Sequence, residues 1–255
     1  MIRVARVGDE FKNKYGTVVE VVETSKEGHR LVYTIQVKGT DFKIKMQGSH
    51  LKALRFKTPY CPSVYGKGYM GVGSFFCRHP DGSLSKAYSV WANIIKRCYT
   101  SYESDPKRIT YENAVVCDEW LNYQNFAAWY TTNTEKFYEN NVEPKIDKDL
   151  LSAEFRGELY SPETCCIVPN IINCALIEKR SSNTVHHGVY KKGSAFVYGV
   201  MHKGILFGGR CNSKEESVSK YYEIKTECIV ELAEDFKHIL SAEVYNKLIN
   251  WKPKS

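Results

Sequence analysis

Nothing in this chain is both long and apolar enough to cross a bilayer: no stretch approaches the ~20 apolar residues a spanning helix requires. The opening residues MIRVARVGDEFKNK lack the apolar core of a secretory leader, so a cytoplasmic location and no membrane partner are expected. Nine cysteines are present, yet no pair is spaced CxxC and the count is odd, which argues against a disulfide framework. Cys98, Cys117 and Cys165 would have to converge from distant segments to hold zinc. Zinc is not expected, and the cysteines read as small buried apolar residues. A Gly-rich phosphate loop, a Ser/His/Asp arrangement and a dinucleotide fingerprint are all missing, which leaves no sequence basis for nucleotide-dependent or hydrolase chemistry of those kinds.

What is present is ordinary globular composition, 43% hydrophobic and 25% charged, with an uneven charge distribution. Residues 1–57 hold twelve Lys/Arg against six Asp/Glu, and residues 179–255 hold thirteen against eight. Residues 119–178 reverse the sign, with four against ten. Two basic ends therefore flank an acidic middle, and basic modules attract a phosphate backbone whatever its base sequence.

The length suits two or three compact units. In residues 1–57, Thr17–Val22, Leu31–Val37 and Phe42–Met46 alternate apolar and polar, separated by turns at Lys26-Glu27-Gly28 and Lys38-Gly39-Thr40. That pattern predicts a small antiparallel barrel. Residues 58–84 are rich in Gly, Pro and Tyr and read as a linker with one hairpin. Residues 85–99 place Ala87, Val90, Trp91, Ile94, Ile95 and Cys98 on one helical face, and 119–131 repeat the pattern around Trp120 and Trp129. Trp91, Trp120 and Trp129 should share one core. Short strands follow at Lys145–Leu150 and Cys165–Val168, then a helix from Pro169. The last segment alternates at Ala195–Met201 and Ile205–Phe207. It ends in a long helix to about Leu232, opened by a capping box of Ser213 and Glu216.

The segments YSVWANIIKRCY (88–99), VCDEWLNYQNFAAWY (116–130), IDKDL (146–150) and YSPETCCIVPNIIN (160–173) resemble, in order and spacing, a phage group of HNH (His-Asn-His) homing endonucleases. GVYKKGSAFVYGV (188–200) and the NSKEES helix start resemble the ethylene-response-factor-type DNA-binding domain that such proteins append. The resemblance implies an α+β chain: a barrel module at 1–57, a linker at 58–84, an HNH-like ββα-metal domain at 85–180, and a three-stranded sheet plus helix at 186–255. It also implies a phage origin, double-stranded DNA as partner, the host cytoplasm as location, and a nuclease (hydrolase) using Mg²⁺ or Mn²⁺.

In that family a histidine on the first strand activates water beside a metal-holding residue, and the metal stabilises the leaving oxygen. The pair falls here on Asp147-Lys148. Asp147, with Asp149 two residues on and Glu163 further along, would supply metal-binding carboxylates. Asn173 matches the helix asparagine. Lys148 breaks the pattern, because a protonated amine cannot accept a proton from water. A solvated, charged strand edge is the competing account of Asp147-Lys148-Asp149, and none of the seven histidines supplies a base from sequence alone.

The appended domain implies DNA contacts from His187, Tyr190, Lys191, Lys192, Lys203, Phe207 and Arg210. Gly199, Met201 and Ile205 share the predicted reading face, while Phe196 and Val200 turn to the helix. Arginines that could bind guanine edges are missing from that face, so phosphate positioning should outlast base readout. The first expectation is a DNA-binding protein in which metal-dependent cleavage or nicking remains possible. The alternatives are a non-catalytic DNA-binding regulator and a phage protein that binds and inhibits a host protein.

Overall fold

The computed structural model describes residues 4–100, 113–151, 158–177 and 184–253. Among these, helix and strand are mixed, with four small sheets and no helix apolar and long enough to cross a membrane. The chain divides into two compact units, Met1–Thr131 with Glu158–Ser161, and Thr132–Gly157 with Pro162–Ser255. Residue 180, taken above as a domain boundary, lies outside the described residues.

In the first unit, strands β1 (Glu10–Lys12), β2 (Val18–Glu27), β3 (Arg30–Val37) and β4 (Lys43–Gln47) form an antiparallel meander in the order β1-β2-β3-β4. The alternation read from sequence is the reason: Val19, Val21, Tyr33, Ile35 and Val37 share one buried face. The expected closed barrel is not formed. Among the described residues β1 and β4 are edges of an open sheet, and strands of three and five residues are too short to wrap round and pair. Leu51 of helix α1 (Gly48–Ala53) and Phe56 cover the core where strand closure would have done so.

Asn13 ties this module together. Its Oδ1 accepts from the backbone N–H groups of Tyr15 and Thr17 at 3.0 and 2.9 Å, and its Nδ2 donates to the Phe56 carbonyl at 3.0 Å. The side chain is buried, so each bond replaces water that cannot reach it.

Helix α2 (Lys86–Tyr99) starts where predicted, with the Ser85 side chain accepting from the Tyr88 N–H. After β5 (Val115–Val116), the second predicted helix divides into α3 (Asp118–Leu121) and α4 (Tyr123–Glu139). The break falls at Asn122, whose Oδ1 caps the Gln124 N–H. The tryptophan core forms: Trp91 Nε1 donates to the Trp120 carbonyl at 2.7 Å, and the Trp120 and Trp129 rings lie 4.6 Å apart. Trp91 and Trp120 are fully buried, Trp129 only partly. Segment 58–84 is stitched onto this layer: Tyr69 exchanges backbone bonds with Leu121 and Tyr123, and Gln124 brackets Phe75.

The second unit begins within α4. Strand β6 (Pro144–Asp147) comes first. A two-residue strand β7 (Leu159–Tyr160), which pairs with β5 in the first unit, precedes β8 (Cys166–Pro169) and helix α5 (Asn170–Leu176). Strands β6 and β8 pair antiparallel, and α5 packs on both, giving a ββα arrangement. Pro169 stands at the N-cap, one position before the helix, and closes β8. Then β9 (Val189–Lys192), β10 (Ala195–His202) and β11 (Ile205–Cys211) form a sheet in the order β11-β10-β9. Helix α6 (Lys214–Asp235) packs on all three strands, and α7 (Ala242–Ile249) packs on α6. The capping box predicted at Ser213 is half made: the Ser213 hydroxyl accepts from the Glu216 N–H at 3.0 Å.

Replacing Asn13 by Ala strands three buried backbone groups at once. Asn13→Ala should lower unfolding stability by about 2–4 kcal/mol, read from the urea midpoint at constant m-value. A loss below about 0.5 kcal/mol would show that these bonds are not what closes the module.

Candidate nucleic-acid interface

The β10–β11 hairpin turns in two residues, Lys203 and Gly204, both at positive φ (49° and 82°). This is the backbone that matches the twist of the flanking strands. His202 therefore pairs with Ile205, Met201 with Leu206, Gly199 with Gly208 and Val197 with Arg210. On β9 the pairs are Val197 with Tyr190 and Ala195 with Lys192. Directly opposed residues project to the same side of a sheet. The side away from α6 thus carries Tyr190, Lys192, Val197, Gly199, Met201, Leu206, Gly208 and Arg210.

The side toward α6 is fixed by contacts. His202 Nε2 lies 2.9 Å from the Glu231 carboxylate, and the Ser217 hydroxyl donates to the Phe196 carbonyl. Tyr198 lies over Gly209, where a Cβ would meet its hydroxyl at 2.6 Å. Gly188, at φ +66°, leaves space that the Tyr221 ring fills; a Cβ there would come within 2.0 Å of it.

Of the residues expected to contact DNA, Tyr190, Lys192 and Arg210 stand exposed on the open side. Phe207 does not: it opposes Val200 and lies 6.3 Å from the His202 ring, on the helix side, and Ile205 goes with it. Leu206 takes the place they were expected to fill, and it is 67% exposed. Lys191 opposes Phe196, so it is exposed but on the helix side. His187 is half-buried against the Tyr221 ring at 5.6 Å. Lys203 pairs with Glu231 at 2.6 Å and Asp235 at 2.5 Å, which hold its amine above its usual pKa and pin the turn onto α6.

Charge divides the same way. From Val189 to Cys211 there are four Lys/Arg and no Asp/Glu, whereas α6 carries seven Asp/Glu against three Lys. One of those three, Lys225, is buried; its Nζ donates to the Ile177 carbonyl at 3.2 Å beneath the Trp251 ring. The surface offered by the sheet is cationic and its backing is anionic.

In the ββα centre, β6 stops at Asp147. The expected continuation to Leu150 is replaced by a turn, because Asp147 Oδ1 accepts from the backbone N–H groups of both Asp149 and Leu150 at 2.8 Å. Asp149 is then no longer a strand neighbour of Asp147; its Oδ1 meets the Lys148 amine at 2.7 Å. Glu163 is exposed in the loop before β8, and Asn173 is half-buried on α5. Among the described residues no three His, Cys, Asp or Glu side chains gather into a group that could hold a metal ion. Burial pushes the Asp147 carboxyl up, against the two backbone bonds and Lys148, which favour its charged form. Cys166, its partner across the ladder, is buried, and its thiol is pushed well up by that burial and by Asp147.

No family model matches the chain, and neither does any curated protein or solved structure.

A carboxyl whose pKa rises on folding is bound more tightly by its proton in the folded state. Its contribution is most favourable below 3.8 and is lost as pH climbs through the raised value. Asp147→Asn keeps the Oδ1 acceptor and removes the charge. The variant should be more stable than wild type at neutral pH, with the advantage shrinking as pH approaches 3.8. Denaturant unfolding of both chains across this range checks it, and a constant difference would refute it.

Proposed function

We propose that this chain is a duplex-DNA-binding protein that holds DNA against the open side of the β9–β11 sheet, without cutting it. The observation that carries the proposal is the charge division of that domain. From Val189 to Cys211 there is no acidic residue, Lys192 and Arg210 stand exposed on the open side, and an acidic helix stands behind the sheet. A polyanion would be drawn to the sheet and turned away from the helix.

On the open side Arg210 and Lys192 would take phosphates, and Tyr190 can donate a hydroxyl to the backbone between them. Val197, Gly199 and Gly208 offer no side-chain donors to base edges. Binding should therefore depend on salt and gain little sequence preference from hydrogen bonds to bases. The order strand, loop, strand, helix at β6, β8 and α5, and three strands followed by a helix at β9–α6, supports the likeness to phage HNH endonucleases with an appended DNA-binding domain.

Cleavage is not part of the reading. Lys148 occupies the position of the general base with an amine held by Asp149, and Asp147 spends one oxygen on closing a turn. The chain keeps the architecture of such a site while its polar groups satisfy one another.

Fluorescence anisotropy with a labelled 25-base-pair duplex tests the binding. Wild type should bind at low ionic strength, with log K falling against log salt at a slope of about −2. Lys192→Ala with Arg210→Ala should weaken binding about equally on unrelated sequences and reduce the slope by about 2. Absence of binding in low salt would overturn the proposal. Nicking of supercoiled plasmid with Mg²⁺ or Mn²⁺, abolished by Asp147→Ala, would overturn the non-cleaving part alone.

A further inference from the structure

The open side of the sheet does not end as it begins. At one end Tyr190, Val197 and Arg210 form a row across the three strands, with Lys192 beside it. In the middle Gly199 opposes Gly208, and the Leu206 side chain leans over Gly199, where a Cβ would meet its Cδ1 at 3.0 Å. At the hairpin tip Met201 opposes Leu206, and the two are 66% and 67% exposed. Glycine at 208 is obligatory, since a Cβ there would meet the Tyr198 carbonyl oxygen at 2.2 Å and the Gly199 Cα at 2.9 Å. Two long apolar side chains thus stand exposed at the tip, one of them reaching back over the glycine pair, on a surface whose other end is cationic. With Ile205 and Phe207 exposed on the other side of the same tip, the hairpin end is apolar all round, as contact surfaces are.

We infer that Met201 and Leu206 form an apolar wedge that enters between base pairs and kinks the duplex. This rests on the DNA-binding reading and adds to it a mode of recognition. Charge complementarity selects the occupant, because the strands carrying the wedge have Lys192 and Arg210 on the same side and no acidic residue. The tip lies four residues along β10 from the Val197 row, about 13 Å at the rise of a strand. That separation lets the cations hold phosphates beside a groove while the tip enters the minor groove, the side from which apolar wedges part base steps. At the turn itself Lys203 is matched by Glu231 and Asp235, so the tip contact is apolar rather than ionic. Partial unstacking by such side chains costs least at pyrimidine–purine steps, which gives a sequence preference without hydrogen-bond readout.

The experiment uses the full chain and a 25-base-pair duplex with end-attached donor and acceptor dyes and a fluorescent adenine analogue at one central step. Duplexes with a central TA step and with a stiff A-tract are compared. Wild type should raise both energy transfer and analogue fluorescence, the latter about twofold or more, and should favour the TA duplex about tenfold. Met201→Ser with Leu206→Ser should abolish both signals and the preference, while keeping the salt slope set by Lys192 and Arg210. Both positions are exposed, and an unchanged thermal midpoint verifies that the variant folds. Binding with no change in either signal overturns the wedge and leaves DNA binding intact. Binding absent altogether removes the reading on which the wedge rests. Self-association in sedimentation that is lost in the double serine variant makes a second copy the occupant and also overturns the wedge.

Discussion

Helix α6 is the constraint on which the second unit depends, because it is buried on two sides at once. One stripe, through Ser217, Tyr221 and Glu231, meets the sheet at Phe196, Gly188 and His202. Another, through Lys225, Ile229 and Leu232, faces inward toward α5 and α7. A helix of 22 residues is about 33 Å long, enough to back a whole three-stranded sheet and still carry a second contact surface. Lys225 shows how strongly that second side is specified. A lysine that is only 3% exposed is tolerated because its amine reaches the carbonyl of Ile177 at the end of α5, where the negative end of the helix dipole lies.

The strands of this domain could be read from alternation, but their faces could not be read from alternation alone. Tyr190 and Lys192 fall on the expected side. Beyond Lys203-Gly204 the assignment fails, because a turn of two residues switches which residue numbers share a face. Met201 faces the same way as Leu206, not as Ile205 or Phe207. A lysine at positive φ gives little warning of such a turn, and only Gly204 marks it. Ion pairing was equally hidden. Lys203 looks like a free cation until α6 brings Glu231 and Asp235 beside it, 28 and 32 residues further along.

At the ββα centre the pairing of β6 with β8 and the following helix were legible, and the chemistry was not. Asp147 and Asp149 share a side only if the strand runs on, and the same aspartate that suggested a ligand ends the strand by accepting two backbone N–H groups. Aspartate favours such turns for the same reason that it binds cations: it offers several lone pairs on a short stem. In the first unit, alternation fixed three strands correctly but said nothing about closure. Closure depends on the lengths of β1 and β4, and these are too short.

Two kinds of force meet on the open side of the sheet. The cations of the open side act at long range and lose strength as salt rises, with a Debye length near 8 Å under physiological conditions. The Met201–Leu206 pair acts only on contact and is insensitive to salt. A surface built from both would capture duplex by charge and then discriminate by deformation, which suits a sheet whose middle positions, Gly199 and Gly208, offer no donors to base edges. On the proposed reading the acidic helix behind it would favour one orientation, since α6 carries seven Asp/Glu against three Lys. Recognition as proposed would reside in what the duplex will bend to accommodate rather than in which bases it displays.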